Sequence, residues 1–268
     1  MSAAPMRHAI TPGTVYLVGA GPGAPDLLTV RAVRVLEAAD VVFHDALVDP
    51  RTVALARRAD CVAVGKRCGR HSTAQRFINK RLVDAARAGR IVVRLKGGDP
   101  MLFGRAQEEI DALAAHGVPC AIVPGITAAL AAAATLSTSL TQRGRVRSVA
   151  LVTPRAGDAE PASASWRAAL AAADAGAIYM GAHEAAAIAR DLIASGKDPS
   201  LPVAMVESAS LPHERVTHTT LGALAQAAPC AGDGPVVLLV GPQFGPRARA
   251  AAVDEVADAD TATVARRA

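Results

Sequence analysis

The 268-residue sequence predicts an α/β protein of two domains with mainly parallel sheets and a ligand cleft between them. Three observations carry that expectation. Short apolar runs recur along the chain, each of strand length and each separated from the next by a helical pattern. Several runs are closed by loops rich in Gly and Pro: Gly19-Ala20-Gly21-Pro22-Gly23 after Val15 to Val18, Gly97-Gly98-Asp99-Pro100 after Ile91 to Leu95, and Pro124-Gly125-Ile126-Thr127 after Ala121 to Val123. A polar stretch from Ser137 to Arg145 then interrupts the alternation, which restarts beyond it. Open α/β sheets bind ligands at the carboxyl ends of their strands, and glycine there allows close approach of the backbone.

In chain order, strands are expected at 14–19, 40–44, 60–64, 90–96 and 119–123, with helices at about 27–38, 49–57, 73–88 and 104–116. Asp26 is placed to cap the first helix and Ser72 or Thr73 the third, while Gly89 and Gly117 stand just past two helix ends. An alanine-rich helical segment, Ile126 to Leu136, leads out of the first half. In the second half, strands are read at 148–153, 177–180, 202–206 and 236–240, and Arg215 to Thr220 alternates like an antiparallel strand. The resulting division is 14–127, a linker segment 128–146, and 147–245, with 1–13 and 246–268 as flexible tails.

Composition narrows the function. Aromatic residues are only 3%, so a stacking platform for single-stranded nucleic acid is not expected. A formal charge of +5 and a pI near 9.4 suit an anionic partner. Four cysteines without metal-ligand spacing, and an N-terminus without an apolar leader, read as a cytoplasmic protein with reduced thiols and no metal. No apolar run reaches the length of about eighteen residues needed to span a membrane.

The first glycine loop fits the dinucleotide fingerprint, and Asp45 closes the next strand roughly where a ribose-binding acid would stand. A dinucleotide-binding oxidoreductase is therefore an alternative. Against it, Pro22 removes an amide from a loop whose task would be to donate amides to pyrophosphate, and Asp26 adds negative charge at the helix start. A nucleoside ligand without phosphate fits better. Asp99 reads equally as an acceptor for ribose hydroxyls or as a cap for the helix beginning near Arg105. Asp45 and Lys66 each follow a strand of the same half, an acid and an amine able to move protons on one substrate, or else a turn residue and a surface lysine. Arg67 and Arg70 beside Lys66, and Arg143 with Arg145, form basic clusters suited to carboxylates. Met180 ends a strand, where its soft side chain can pack on a base or a sulfonium.

Taken together, the ordered motifs Val18-Gly-Ala-Gly-Pro-Gly, Asp45-Ala-Leu-Val, Val64-Gly-Lys-Arg, Arg94-Leu-Lys-Gly-Gly-Asp-Pro, Pro124-Gly-Ile-Thr, Leu140-Thr-Gln-Arg and Tyr179-Met-Gly resemble the tetrapyrrole methyltransferase family, from about Thr14 to Gly245. The resemblance implies the tetrapyrrole methylase fold, S-adenosylmethionine as methyl donor with S-adenosylhomocysteine as product, and a homodimer with its active-site cleft between the domains. It implies methylation of uroporphyrinogen III at C2 and C7 to give precorrin-2, with other precorrin methyltransferases as rivals. It places the cofactor against Pro22, Gly97, Gly98, Asp99, Leu102, Thr127, Ala128, Met180 and Ala209. It makes Asp45 the proton acceptor and Lys66 the proton donor, and Arg67, Arg70, Arg143 and Arg145 partners of the substrate carboxylates. Two positions depart from the family pattern: Gln142 stands where a histidine is usual, and Ala209 where a glycine is common. Without the NAD-dependent domain of fused sirohaem synthases, neither dehydrogenation nor iron chelation is expected.

Overall fold

The computed structural model describes residues 9–64, 75–154, 165–228 and 234–246. The first half builds β1 (Val15–Gly19), α1 (Val30–Ala38), β2 (Val41–His44), α2 (Pro50–Val53), β3 (Asp60–Ala63), α3 (Gln75–Arg87), β4 (Val92–Lys96), α4 (Ala106–Ala115) and β5 (Cys120–Val123). Its five strands pair in parallel in the order β3-β2-β4-β1-β5. β1 is buried from end to end, which explains its unbroken apolar sequence. Period-two alternation divides its side chains. Val15 and Leu17 join Val92 under Ile78 and Leu82 of α3 and Leu113 of α4, whereas Tyr16 and Val18 join Val93 and Leu95 under Val35 and Leu36 of α1.

The second half follows with α5 (Ala128–Thr135), β6 (Val149–Val152), α6 (Ser165–Ala172), β7 (Ala175–Tyr179), α7 (Ala185–Ala194), β8 (Pro202–Glu207), β9 (Arg215–Thr220), α8 (Leu221–Ala225) and β10 (Val236–Val240). The strand order is β6-β7-β10-β8-β9. β6 and β7 are parallel, but β10 runs antiparallel between β7 and β8, and β9 antiparallel beside β8. This sheet is therefore mixed rather than mainly parallel. The short β8 to β9 connection permits a hairpin, where a parallel neighbour would need a full crossover. One face packs on the alanines of α5 (Ala129, Ala131, Ala132, Ala133), whose small side chains bring helix and sheet close; the other packs on Leu170 of α6, Ile188 and Leu192 of α7, and Leu221 and Leu224 of α8.

Two local expectations change. Asp26 does not cap α1; it lies in a 3₁₀ turn, Pro25–Leu27, and Thr29 is the cap, its Oγ1 accepting from Ala32 N at 3.2 Å. Leu28 is extended, so the chain breaks once more before the helix begins. The expected helix at 49–57 is the single turn α2, capped by Asp49 through Arg51 N. The Ser72 and Thr73 positions lie outside the described residues.

Backbone packing of the glycine loops places the strand ends. A Cβ on Gly125 would stand 2.3 Å from the Gly98 carbonyl oxygen and 2.9 Å from the Gly19 Cα, with only backbone to yield. Gly125→Ala is therefore expected to cost about 1–3 kcal/mol of stability, read by urea denaturation as a lower midpoint at unchanged slope.

Candidate active site

The three glycine loops form one unit at the carboxyl end of the first sheet. Gly21 and Gly98 exchange backbone hydrogen bonds at 3.2 and 2.7 Å, and Ala20 N donates to the Lys96 carbonyl at 2.7 Å. Asp99 joins the third loop: its Oδ2 accepts from Gly125 N at 2.9 Å and its Oδ1 from Met101 N at 2.7 Å. The capping alternative for Asp99 is thereby set aside. α4 begins at Ala106 behind Arg105, which is left-handed with φ 56° and makes no side-chain cap. Asp99 lies too far upstream to reach that first turn.

The second half is tied to the same loops. Tyr179, the last residue of β7, has its Oη 2.7 Å from Thr127 Oγ1 and accepts from Ala129 N at 3.2 Å, while its ring lies 5.1 Å from that of Phe103. Burial holds the phenol above its usual pKa. Ser210 Oγ accepts from Ala24 N at 3.1 Å, and Glu214 Oε2 accepts from both Ser210 N and Thr135 Oγ1. Phe103, Arg105, Met180, Ser208 and Ser210 all take φ between 52° and 69° on the loops involved, a backbone cost of the kind that gathers at functional sites.

Pro22 lies on the loop after β1, Gly97, Gly98, Asp99 and Leu102 on the loop after β4, Thr127 after β5 with Ala128 opening α5, Met180 after β7 and Ala209 after β8, and these ties connect those loops into one rim. Above Gly97 there is room, since a Cβ built there would touch only Leu47 Cβ at 3.9 Å. Met180 stands 44% exposed at the end of β7. The set holds backbone groups, one carboxylate, one hydroxyl, a thioether and apolar side chains, and no cation. That chemistry fits a nucleoside carrying a positive sulfonium better than a phosphorylated one.

Beside the rim lies a buried cluster of charges. Arg94 and Lys96 alternate on β4 and so share the face covered by α4, which contributes Glu109. Their side chains are 3%, 4% and 0% exposed. Arg94 Nε donates to Glu109 Oε1 at 2.9 Å, Lys96 Nζ donates to Oε2 at 3.0 Å, and Gln75 Nε2 donates to Oε1 at 3.1 Å. Arg94 Nη1 reaches the Phe43 and Leu95 carbonyls, and Nη2 donates to Asp45 Oδ1. Asp45 itself is 31% exposed, the only member open to solvent. Burial opposes the Arg94 charge, but the Asp45 and Glu109 carboxylates outweigh it and raise its pKa. For Lys96, burial and the neighbouring Arg94 charge outweigh Glu109 and lower it.

Lys66, Arg67 and Arg70 lie outside the described residues. Arg143 and Arg145 occupy an exposed turn closed by the backbone pair Gln142 and Val146; among the described residues no hydrogen bond or ion pair joins that turn to the loops of Asp45 and Asp99. No group of three potential metal ligands occurs among the described residues. Of the thiols, Cys120 is pushed up to about 11 by burial, which suits packing and not nucleophilic chemistry. The residues that sequence reading missed are Arg94, Lys96, Glu109 and Tyr179. The available signal was two cations at alternate positions of a strand read as buried, which demand a buried acid.

The chain belongs to the Tetrapyrrole (Corrin/Porphyrin) Methylases, whose family model matches residues 14–225. It is 46% identical over 230 residues to the uroporphyrinogen-III C-methyltransferase of Pseudomonas aeruginosa, covering 85% of this chain and 93% of that protein. It is also 46% identical over 231 residues, 85% of this chain, to a siroheme synthase of Stutzerimonas stutzeri. The chain spans about half the length of the siroheme synthases it matches, 50% in that case. Among solved structures, the uroporphyrin-III C-methyl transferase of Thermus thermophilus complexed with S-adenosylhomocysteine superposes with a TM-score of 0.75 at 40% identity, covering 85% of this chain and 97% of the other.

Asp99→Ala removes the acceptor that joins two of the glycine loops. Affinity for S-adenosylhomocysteine, measured by titration calorimetry, is expected to fall by about tenfold or more, the scale of one lost charge-assisted hydrogen bond.

Proposed function

We propose that this chain transfers methyl groups from S-adenosylmethionine to C2 and C7 of uroporphyrinogen III, giving precorrin-2 for sirohaem or cobalamin synthesis. The observation that carries the reading is a half-buried carboxylate, Asp45, held by a buried arginine beside a rim of phosphate-free nucleoside chemistry. The similarity to the Pseudomonas and Thermus enzymes supports it along most of the chain.

When bound, S-adenosylmethionine supplies an electrophilic methyl whose bond to sulfur breaks with the electron pair remaining on sulfur. In this reading Pro22, Gly97, Gly98, Asp99, Leu102, Thr127, Ala128, Met180 and Ala209 hold it at the rim. Ala209 serves through its backbone where the family commonly has glycine. The chain's task is then to aim a ring carbon at the methyl and to remove a proton from the pyrrole, because loss of the N–H proton makes the ring carbon nucleophilic. Asp45 takes that proton, and Lys66 returns one. Arg67, Arg70, Arg143 and Arg145 pair the substrate carboxylates.

The division at 14–127 and 147–245 with the segment 128–146 between them belongs to this reading, as do a homodimer and a cytoplasmic location. The free thiols Cys61 and Cys120 accord with a reducing compartment. Among the described residues no helix is long and apolar enough to cross a membrane. For the dimer, the support is an apolar groove beside α5 lined by Leu130, Ala133, Leu140, Val149 and Leu151, with Leu130 and Leu151 exposed. Light scattering is expected to return twice the chain mass, and the Leu130→Glu and Leu151→Glu pair to return the single chain; a wild-type monomer would remove the dimer.

Incubation with uroporphyrinogen III and labelled methyl donor is expected to place two methyl groups on the product, and none would overturn the activity. Asp45→Asn is expected to lower kcat by about 10²–10⁴-fold while S-adenosylhomocysteine still binds. Unchanged turnover would take Asp45 out of the role of base.

A further inference from the structure

The described charges near Asp45 balance in an unusual way. From β4, Arg94 gives Nη2 to Asp45 and Nε to Glu109, so one guanidinium serves two carboxylates. From α4, Glu109 takes Arg94 on one oxygen and Lys96 on both, at 3.1 and 3.0 Å. From α3, neutral Gln75 completes the shell of Glu109. From β2, His44 faces away, its Nδ1 lying 3.2 Å from the Asp45 carbonyl oxygen and not from the carboxylate. Two cations thus meet two carboxylates, and the three innermost charges are almost wholly buried while Asp45 alone opens outward. Had Arg94 stood alone behind Asp45, its full charge would fall on that carboxylate and make it a poor base.

We propose that Glu109 is a positioning residue for the methyl-transfer reaction: by holding one edge of Arg94, and being balanced in turn by Lys96, it fixes the orientation of Asp45 and moderates the positive charge behind it. The inference rests on Asp45 being the proton acceptor. Glu109 reaches solvent nowhere, so a bound molecule has no access to it, and its link to Asp45 runs through Arg94. Lys96 follows as the counter-charge that lets Glu109 remain ionised in the interior.

The sign of the effect separates this role from a merely structural one. Glu109→Gln deletes a negative charge behind Arg94, so more of the guanidinium's charge falls on Asp45. Its carboxylate becomes a weaker base that protonates less readily. The kcat of E109Q is expected to drop on the order of tenfold, with the acid limb of its pH profile moved to lower pH and S-adenosylhomocysteine affinity unchanged. The double variant E109Q/K96M removes one charge of each sign and is expected to return the limb to its wild-type position. Asp45→Asn is measured alongside: if it keeps turnover, the reading of Asp45 as acceptor fails, independently of Glu109. With D45N inactive, an E109Q limb that does not move, or a double-variant limb displaced as far as that of E109Q, overturns the proposal. Where E109Q alone fails to bind S-adenosylhomocysteine, the limb of the double variant decides. Loss of binding in both variants assigns the cluster to stability and equally overturns it.

Discussion

Beneath the first sheet, two cations and a carboxylate are buried with side-chain exposures of 3%, 4% and 0%, and none of them is tolerable there without the others. Removing one partner of a buried pair leaves an uncompensated charge, a penalty of about 3–5 kcal/mol. An apolar cluster of equal volume would be at least as stable, so stability does not explain these residues. What the cluster does that hydrocarbon cannot is hold a carboxylate at the sheet edge. Arg94 spans the gap between Glu109 in the interior and Asp45 at the opening, and β2, β4 and α4 are fixed relative to one another by the same guanidinium.

The glycine loops solve a different problem with backbone alone. Gly19 and Gly125 approach each other and the Gly98 carbonyl so closely that a side chain on either is excluded, and Asp99 closes the arrangement by accepting two amides. Of the residues of this rim only Asp99 is charged and none is a cation, and an ionic cluster lies beside it. Under the proposed activity, a positively charged sulfonium nucleoside and an acidic tetrapyrrole would make opposite electrostatic demands, which a rim without cations beside an ionic cluster would suit. Tyr179 and Ser210 then couple the second half to the rim through hydrogen bonds to Thr127 and Ala24, and Glu214 braces Ser210 against Thr135 of α5. Because those contacts land on the glycine loops and on α5, the position of one sheet constrains the opening beside the other.

Much of the first half was legible because the strands at the middle of its sheet are buried on both faces, and β1 in particular reads as an unbroken apolar run. The second sheet was harder. β9, whose alternation marked it as antiparallel, does run antiparallel beside β8, but β6, β7, β8 and β10 carry the same apolar signature and direction is not written in composition, so only the structure shows β10 antiparallel between β7 and β8. The cap of α1 was misplaced for a related reason: Asp26 and Thr29 are both good caps, and the extended Leu28 between them decided for the later one.

Periodicity and loop chemistry alone determined the existence of nearly every strand and the glycine loops at the strand ends, and they placed Asp45, Asp99 and Met180 just beyond the carboxyl ends of strands. Each of these depends on residues adjacent in the chain. The tertiary structure decided which distant groups share a charge. Asp45, Arg94 and Glu109 lie on three different elements, and Asp99 and Gly125 close two separate loops. Ion pairing and backbone contact are set by through-space distance, to which a one-dimensional pattern is blind: the sequence could announce that buried cations need an acid but not that the acid would be Glu109.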